Sequence, residues 1–282
     1  MKAIQEILPL AADFLKKKGI VRPKRDAEEL LAAQLGCKRI DLYMKFECPL
    51  EEDEIVAFRE KIKRRSTGEP LDYILGEKEF YNCRISLTRA VLIPRPETEI
   101  LLERICQRVE LTLPGDAWDI CTGSGCLGIA FKKRFPTWDV ALSDLSSEAL
   151  AVAKDNAAKN NVEVNCLQGD LLAPFHGKKA QLLMANPPYI SEMEFANLDH
   201  EVRLFEPEQA LKGGVDGLDF YRRLAAEAAP HLLPGALLSL EIGASQKEEV
   251  LKIFNHPSWQ GAHIEKDWAG HDRFFFCYRN LA

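Results

Sequence analysis

The sequence predicts an α/β fold with a mostly parallel, seven-stranded sheet, preceded by a small all-α domain. From Trp118 onward, short apolar runs alternate with amphipathic stretches, which is the pattern of strands joined by crossover helices. Residues 1–70 show only the helical spacing of apolar side chains. A chain of 282 residues, 46% hydrophobic and 28% charged, is long enough and apolar enough for two globular units.

The elements of the N-terminal part follow from the residues at their ends. Helices are expected in AIQEILPLAADFLKKKG, RDAEELLAAQLG and EEDEIVAFREKIKRRSTG, because the first two stop at glycines and the third begins with acids and ends with bases. β-Branched and aromatic residues with turn signals at Gly76 and Asn82 then predict a hairpin. We therefore expect a helical domain over 1–75, a β-hairpin linker over 76–100 and a second domain over 101–282.

The second domain is expected to open with a helix over 101–109. Strands are then predicted in AWDIC, WDVALSD, EVNCLQGD, QLLMAN and ALLSLEIG, and the chain closes with GAHIEKDWAG and RFFFCYR. The helices between them are GCLGIAFKKRF, SSEALAVAKDNAAKN, LDFYRRLAAEAAPHL and SQKEEVLKIFNH. Because ligands of open α/β sheets bind at the carboxyl ends of the strands, the residues at those ends are the candidates for a site.

Composition argues against several classes of function. No apolar run approaches the roughly 20 residues of a membrane span, and no cleavage-site pattern follows the N-terminus, so a cytoplasmic protein is expected. Residues 1–70 carry 15 Lys and Arg against 13 Asp and Glu, whereas the other 212 carry 22 against 30. That acidic balance does not suit a nucleic-acid-binding face, and the basic KIKRR at 61–65 is expected to be a solvated helix end. The eight cysteines form no CxxC and the six histidines supply no paired ligands, so free thiols and no metal are expected.

A glycine-rich loop, DICTGSGCLG (119–128), follows a predicted strand and opens a predicted helix. Small residues in such a loop let a ligand approach the backbone closely. The next strand ends at Asp144, 19 residues beyond Gly125, where an acid commonly accepts hydrogen bonds from ribose hydroxyls. Asp170 ends the third strand beside the same crevice. The alternatives are a tight turn without a ligand and, at Asp144, a helix N-cap or a solvated strand end.

The stretch ANPPYI (185–190) ends the fourth strand at that crevice. Asn186 offers one carbonyl acceptor and one amide donor, and Pro187 and Pro188 leave their carbonyls free in a rigid corner. Tyr189 adds a flat face for stacking. Two fixed acceptors suit a planar NH2 group, whose nitrogen they orient toward an electrophile. The alternative is a simple turn without a function.

The order DICTGSG, LSD, QGD and NPPYI resembles that of S-adenosylmethionine-dependent methyltransferases that modify NH2 nitrogens. The stretches RRSTGEPLDYILGEKEF, LIPRPETE, FEPEQALKGGVDGLDFYRRL, LEIGASQ and GHDRF narrow the resemblance to the release factor glutamine N5-methyltransferase family (the PrmC/HemK type). NPPY alone is shared with DNA amino-methyltransferases and ribosomal RNA guanine methyltransferases, whereas LIPRPETE with FEPEQAL is far more specific. The resemblance runs from about residue 62 to the C-terminus, and it implies a Rossmann-like class I methyltransferase domain over 101–282.

The resemblance also implies a cofactor site for S-adenosyl-L-methionine. The implied contacts are the loop residues Cys121, Thr122, Gly123, Ser124 and Gly125, with the ribose on Asp144, the adenine near Asp170 and Leu171, and a further contact from Asn186. One position departs from the family, which usually has Gly where this chain has Cys121. A side chain there is expected to crowd the methionine end of the cofactor.

The implied substrate is the glutamine of a GGQ tripeptide in a class I peptide-chain release factor. The resemblance makes Asn186, Pro187 and Tyr189 the catalytic residues and adds Pro188 to the substrate pocket. Asn186 and Pro187 would accept the amide hydrogens, while Tyr189 packs on the side chain. The helical domain is expected to dock the release factor, and the protein is expected to be a monomer that binds no nucleic acid or membrane directly.

Several alternatives stay open at the level of sequence. Arg95, Glu97 and Thr98 of PRPETE are expected beside the methionine end of the cofactor, although a structural salt bridge explains Arg95 and Glu97 equally well. Glu241 ends another strand and is either a site residue or a structural partner. The substrate could instead be a glutamine of a ribosomal protein or an exocyclic amine of a nucleobase in DNA or RNA. A nucleotide-binding regulatory domain would keep the glycine loop without needing Asn186.

Overall fold

The computed structural model describes residues 2–109 and 113–281, which divide into two compact units. The first unit comprises Met1–Gly76 and Asp199–Phe205, and the second comprises Glu77–Leu198 and Glu206–Ala282. Among the helices of the described ranges, none is both long and apolar enough to cross a membrane.

The first unit is a bundle of helices around one apolar core. Its helices in the first 76 residues are α1 (Ile4–Lys17), α2 (Pro23–Gln34), α3 (Arg39–Met44), α4 (Glu52–Ser66) and α5 (Leu71–Leu75). Leu15, Leu30 and Phe58 belong to the buried core cluster that α1, α2 and α4 share. These three helices confirm the helical N-terminal region predicted from apolar spacing, whereas α3 and α5 are too short to show a clear period.

The basic cluster at the end of α4 was expected to be solvated, but its last residue, Arg65, is buried. Its side chain is 6% exposed, and its guanidinium donates to Asp26 and to Glu201, each at 2.7 Å. A third bond runs from Nη1 to the Glu69 carbonyl at 2.9 Å. Because carboxylates and a carbonyl satisfy the guanidinium, its burial within the first unit is tolerated.

The second unit contains a hairpin and a seven-stranded sheet. The hairpin is β1 (Glu77–Phe80) with β2 (Cys83–Ser86), and the sheet is formed by β3 (Asp116–Ile120), β4 (Asp139–Asp144), β5 (Asn165–Gln168), β6 (Ala180–Ala185), β7 (Leu232–Glu241), β8 (Trp259–Lys266) and β9 (Asp272–Arg279). The strand order is β5-β4-β3-β6-β7-β9-β8, with β9 antiparallel to both neighbours and the other pairs parallel. The predicted mostly parallel sheet is therefore confirmed.

Helices cover this sheet, as parallel strands require. They are α6 (Pro96–Cys106), α7 (Cys126–Arg134), α8 (Ser147–Lys159), α9 (Glu192–Ala196), α11 (Asp219–Glu227) and α12 (Lys247–Ile253), while α10 (His200–Phe205) belongs to the first unit. Three short 3₁₀ turns occupy Ala173–Phe175, Glu208–Ala210 and Ala229–His231. Strand β6 is almost wholly buried, which explains why its sequence is a continuous apolar run rather than an alternating one.

Helix α6 begins five residues before the predicted start at 101, because Pro96 occupies its first turn. Proline is favoured there, since its missing N–H has no partner in a first helical turn and its φ is already helical. The PRPETE motif, which the sequence analysis placed in the hairpin linker over 76–100, is therefore the start of a helix. The hairpin predicted as a linker lies in the second unit, where Asn156 of α8 and Asn160, the residue that follows α8, bind the backbone of β2.

The strand order creates a crevice at one edge of the sheet. The chain passes from β3 to β4 and β5 on one side, and then returns to form β6 on the other side of β3. The carboxyl ends of β3, β4, β5 and β6 consequently lie along one edge, with the reversal of strand order between β3 and β6. Such a reversal point is where open α/β sheets bind ligands.

Candidate active site

A cavity of about 490 Å³ opens at the carboxyl edge of the sheet. Its volume falls in the roughly 300–1,000 Å³ range of small-molecule sites. The predicted site residues that line it are Cys121, Thr122, Gly123, Ser124, Asp144, Asp170, Leu171, Asn186 and Pro188. Gly125, Pro187 and Tyr189 are not among its lining residues. The structure therefore brings most of the predicted residues together around one cavity.

The glycine loop after β3 forms the base of this cavity. Gly123 and Gly125 have φ of 53° and 80°, which a glycine adopts without a steric penalty. Cys121 has a φ of 57° in the same left-handed region, although it carries a Cβ. A left-handed backbone favours glycine, which explains why the family usually has glycine where this chain has Cys121. Burial also raises the pKa of the Cys121 thiol, and nearby carboxylates raise it further, so the thiol stays protonated at neutral pH.

Asp144, the last residue of β4, holds the glycine loop in place. Its two carboxylate oxygens accept the backbone N–H groups of Gly123 at 2.8 Å and of Ser146 at 3.0 Å. Burial raises the pKa of Asp144 above its ordinary value, and these hydrogen bonds offset only part of that increase. Each carboxylate oxygen carries a second lone pair, so the side chain can still accept a hydroxyl of a ligand in the cavity.

Asp119 supports the loop from within β3, and sequence reasoning gave it no role. It is 1% exposed, and its Oδ2 accepts the Thr122 hydroxyl at 2.5 Å and the Gly128 N–H at 2.9 Å. Burial raises its pKa to about 7, against the lowering effect of these two donors. A charged residue inside the apolar run AWDIC is the sequence signal for such a buried support.

Asn156 joins the loop to the hairpin. This fully buried side chain of α8 donates to the Ser124 carbonyl at 2.9 Å and to the Ser86 carbonyl at 3.1 Å. Its Oδ1 accepts the Ser86 N–H at 2.7 Å. All three bonds satisfy backbone groups, so Asn156 positions the loop rather than binding a ligand directly.

Asp170 is paired at the edge of the cavity. Arg223 of α11 donates to both of its oxygens, at 2.9 and 3.0 Å, and also lines the cavity. Sequence reasoning did not identify Arg223, because α11 lies more than 50 positions further along the chain and nothing local marks it. The pair is half-exposed, so its contribution to stability is small, on the order of 0–1 kcal/mol.

Asn186 follows β6 directly and lines the cavity. Its Nδ2 donates to Thr98 Oγ1 at 3.2 Å, and Thr98 donates in turn to Glu241 Oε2 at 2.7 Å. Among the described residues no donor contacts Asn186 Oδ1. The side chain therefore offers an unpaired carbonyl acceptor, while its NH2 group is engaged by the protein.

The rest of the NPPY corner is held by segments distant in sequence. The Tyr189 hydroxyl lies 3.5 Å from Glu241 Oε1, and its carbonyl accepts Gln246 Nε2 at 2.9 Å. Burial raises the Tyr189 pKa, so its hydroxyl stays protonated. A Cβ at Gly217 would lie 2.3 Å from the Tyr189 carbonyl oxygen, so only glycine fits there. The structure thus directs the Tyr189 hydroxyl toward buried Glu241.

The PRPETE segment contributes one wall of the cavity. Arg95 and Thr98 line it, whereas Glu97 does not. Arg95 forms an ion pair with Glu206 at 2.5 Å, and Glu206 also accepts the Ile93 N–H at 3.2 Å. The side chain of Glu206 is 1% exposed, so this pair joins two distant segments through a buried carboxylate. The structural salt bridge is therefore present at Arg95, and its partner Glu206 was not anticipated.

The residues present fit S-adenosyl-L-methionine. The loop brings backbone within reach of the cavity, and Gly123 has nothing within 4 Å of a Cβ position, so a ligand can approach it. Asp144 has lone pairs for ribose hydroxyls, and Leu171 and Phe220 supply apolar lining for a flat base. Arg95 and Thr98 also line the cavity and supply polar groups to it.

Comparisons with known proteins identify the fold and the family of this chain. Family models match residues 6–76 as the PrmC N-terminal domain and residues 96–213 as the methyltransferase small domain. A methyltransferase from Pyrococcus furiosus, solved by crystallography, covers 71% of this chain and 90% of its own with a TM-score of 0.55 and 18% identity, which supports the fold.

Full-length relatives are closer in sequence. The release factor glutamine methyltransferase of Geobacter sulfurreducens is 37% identical over 270 residues, covering 96% of this chain and 94% of its own. That of Moorella thermoacetica is 38% identical over 279 residues and covers 98% of each chain. Identity of this extent, over nearly the whole length of each chain, shows that the chain belongs to the release factor glutamine methyltransferase family.

Proposed function

We propose that this protein transfers a methyl group from S-adenosyl-L-methionine to the side-chain amide nitrogen (N5) of the glutamine in the GGQ motif of class I peptide-chain release factors. The observation that carries the proposal is the free Oδ1 of Asn186 on the wall of the cavity whose base is the glycine loop. Similarity over nearly the full length to release factor glutamine methyltransferases supports the choice of substrate.

The cofactor, when bound, supplies an electrophilic methyl group on a sulfonium centre. The residues of this chain then have to hold a weak nucleophile in the right orientation, because the lone pair of an amide nitrogen is delocalised into its carbonyl. Asn186 Oδ1 and the Pro187 carbonyl each accept one hydrogen of the substrate NH2 group. Fixing the nitrogen in this way contributes several kcal/mol to the lowering of the barrier, on the order seen for well-oriented reactants.

Selectivity follows from the same two acceptors. A glutamate in place of the glutamine would bring carboxylate oxygens against two carbonyl oxygens, with no hydrogen to share between them. A site built from such acceptors strongly rejects an analogue without the matching donors. Tyr189, whose hydroxyl is held near Glu241, is proposed to pack on the glutamine side chain with its ring.

We propose that the first unit docks the release factor, because a tripeptide offers too little surface for specificity. A groove in this unit is lined by apolar side chains of α1 and α4, among them Leu10, Phe14 and Ile62. Leu10 and Phe14 are 60% and 41% exposed, although both are large and apolar. Exposed apolar surface rimmed by polar residues is typical of protein interaction sites.

We also propose that the protein is a cytoplasmic monomer and that it acts on a protein rather than on a nucleic acid. Residues 71–282, which contain the cavity, carry 22 Lys and Arg against 30 Asp and Glu. Enzymes that act on bases in a duplex need a basic cleft and must extrude the base. The acidic balance therefore favours a protein substrate.

The direct test is incubation of the full chain with methyl-labelled S-adenosylmethionine and four separate substrates. These are intact release factor, release factor with the GGQ glutamine changed to alanine, ribosomal particles and duplex DNA. Label on the intact factor alone supports the proposal, and its loss with the changed glutamine identifies the residue. Label on a ribosomal protein or on DNA, and not on the factor, would replace the proposed substrate.

Docking is tested separately with Leu10→Asp and Phe14→Asp. Both variants are expected to raise KM for intact release factor while leaving KM for a short GGQ peptide unchanged, because the peptide does not reach the groove. Val21→Asp is the matched control, since Val21 is 88% exposed and does not line the groove. Equal effects on factor and peptide would argue against docking by this surface.

A further inference from the structure

We propose that Thr98 and Glu241 are positioning residues, which set the orientation of the Asn186 amide so that its carbonyl oxygen, and not its NH2 group, faces the substrate. The inference rests on the proposed function, because it concerns the acceptor that holds the glutamine nitrogen. It assigns a role to two buried residues that do not themselves contact the reacting atoms.

The direction of the hydrogen bonds follows from Glu241. Its side chain ends β7, is 2% exposed, and receives the Thr98 hydroxyl on Oε2 at 2.7 Å. A carboxylate can only accept, so the single proton of Thr98 is committed to it. Thr98 can then only accept from Asn186, and Asn186 must present Nδ2 rather than Oδ1 at the 3.2 Å contact.

The orientation of Asn186 requires Glu241 to be an ionised carboxylate that accepts the Thr98 hydroxyl at 2.7 Å. Burial and the nearby charge of Glu97 raise the pKa of Glu241, whereas the Thr98 hydroxyl, Arg273 and Arg95 lower it and favour the ionised form. The Tyr189 hydroxyl approaches the second oxygen, Oε1, at 3.5 Å. One buried carboxylate therefore orients Asn186 through Thr98 and contacts the Tyr189 hydroxyl, which links it to both ends of the NPPY corner.

Without this chain of bonds, no hydrogen bond from the protein would distinguish the two orientations of the Asn186 amide. Asn186 Oδ1 has no donor among the described residues, so only the Nδ2 contact distinguishes the two ends of the amide. A rotated amide would place two N–H donors toward the substrate and repel its NH2 group. The same rotated amide would, in contrast, donate hydrogen bonds to a carboxylate.

The test compares Thr98→Val, which removes the hydroxyl at nearly constant shape, with Thr98→Ser, which keeps it. Two forms of the release factor are used, the natural GGQ factor as substrate and the GGE factor as a competitive inhibitor. Thr98→Val is expected to lower kcat about tenfold, the effect of one lost orienting hydrogen bond. The ratio of its affinity for the GGE factor to its affinity for the GGQ factor is also expected to rise, by about threefold or more over that of the unaltered protein.

Thr98→Ser is expected to restore the original preference for GGQ over GGE. Tyr221→Phe is the matched control, because the Tyr221 hydroxyl contacts the Glu241 backbone carbonyl at 3.3 Å and Gln246 Oε1 at 3.2 Å, but neither Thr98 nor the Glu241 carboxylate. Loss of a buried bond beside Glu241 should leave the GGQ/GGE ratio unchanged. Glu241→Gln, with a donor in place of one acceptor, should shift the ratio in the same direction as Thr98→Val.

The outcomes separate the inference from the proposed function. An unaltered protein that methylates no glutamine would overturn both. An active unaltered protein, together with a Thr98→Val variant of equal kcat and equal GGQ/GGE ratio, would overturn the positioning role alone. A fall in kcat without a change in the ratio would also overturn it, since general disturbance of the fold lowers kcat without favouring the carboxylate.

Discussion

The carboxylate of Asp144 accepts the backbone N–H of Gly123 at 2.8 Å, so the end of β4 holds the loop that follows β3. This contact joins residues 21 positions apart and fixes the backbone of the loop. Under the proposed function, the same carboxylate also accepts the ribose hydroxyls of the cofactor.

Asp144→Ala is expected to raise the Kd for S-adenosylmethionine by about tenfold or more, because the loop loses its support and the ribose loses its acceptor. Isothermal titration calorimetry measures the change. Asp139→Asn, at the exposed other end of the same strand, is the control and should bind normally. An unchanged Kd for Asp144→Ala would mean that this carboxylate has only a structural role.

Cys121→Gly is expected to lower the Kd for the cofactor by a few fold, because it removes a side chain from the cavity lining. Stability should change little. Relief of the left-handed conformation at φ 57° gains about 1 kcal/mol, and the greater flexibility of glycine in the unfolded chain offsets most of it. Calorimetry and thermal unfolding check the two expectations, and weaker cofactor binding by the glycine variant would contradict the first.

Asp119 makes stability depend on pH. Its ordinary pKa of 3.8 is raised to about 7 in the folded chain, so the folded state holds this proton more tightly between those values. Its contribution to the free energy of unfolding is therefore fully present below about pH 4 and is lost as pH rises through about 7. Asp119→Asn removes the titration, and Asn Oδ1 can still accept both Thr122 and Gly128, which share one oxygen in the structure.

The difference in unfolding free energy, variant minus unaltered protein, is accordingly expected to grow as pH is raised from about 5 to 8. Urea unfolding at four pH values, followed by circular dichroism, measures it. Other titrating groups cancel in the difference. A difference that is constant with pH would show that Asp119 is ionised throughout this range.

Arg223→Gln is expected to change the cofactor Kd by less than about threefold, because the Arg223–Asp170 pair is half-exposed and such pairs contribute little. Arg222→Gln is the matched control, since Arg222 pairs with Asp216 and does not line the cavity. A tenfold loss confined to Arg223→Gln would instead show that the guanidinium contacts the bound cofactor.

Much of the fold and of the candidate site could be predicted from the order of residues along the chain. Alternating strand and helix patterns indicated a mostly parallel sheet, and in such a sheet the carboxyl ends of the strands share one edge. The glycine loop, Asp144 and Asn186 each follow or end a strand, so their convergence on one cavity was a consequence of that order. The NPPY stretch, with the stretches that flank it, was specific enough to indicate a family.

Tertiary structure alone decided how those groups are held. Thr98 lies 88 positions from Asn186 and 143 from Glu241, and Arg95 lies 111 from Glu206. No periodicity or spacing encodes such pairs, because each depends on which side chains become buried next to one another once the sheet and helices pack. By itself the sequence determined which groups reach the site, since strand ends are local features. Only the folded chain determined which atom of Asn186 is bound by the protein, because that choice depends on a hydrogen-bond chain between residues brought together by burial.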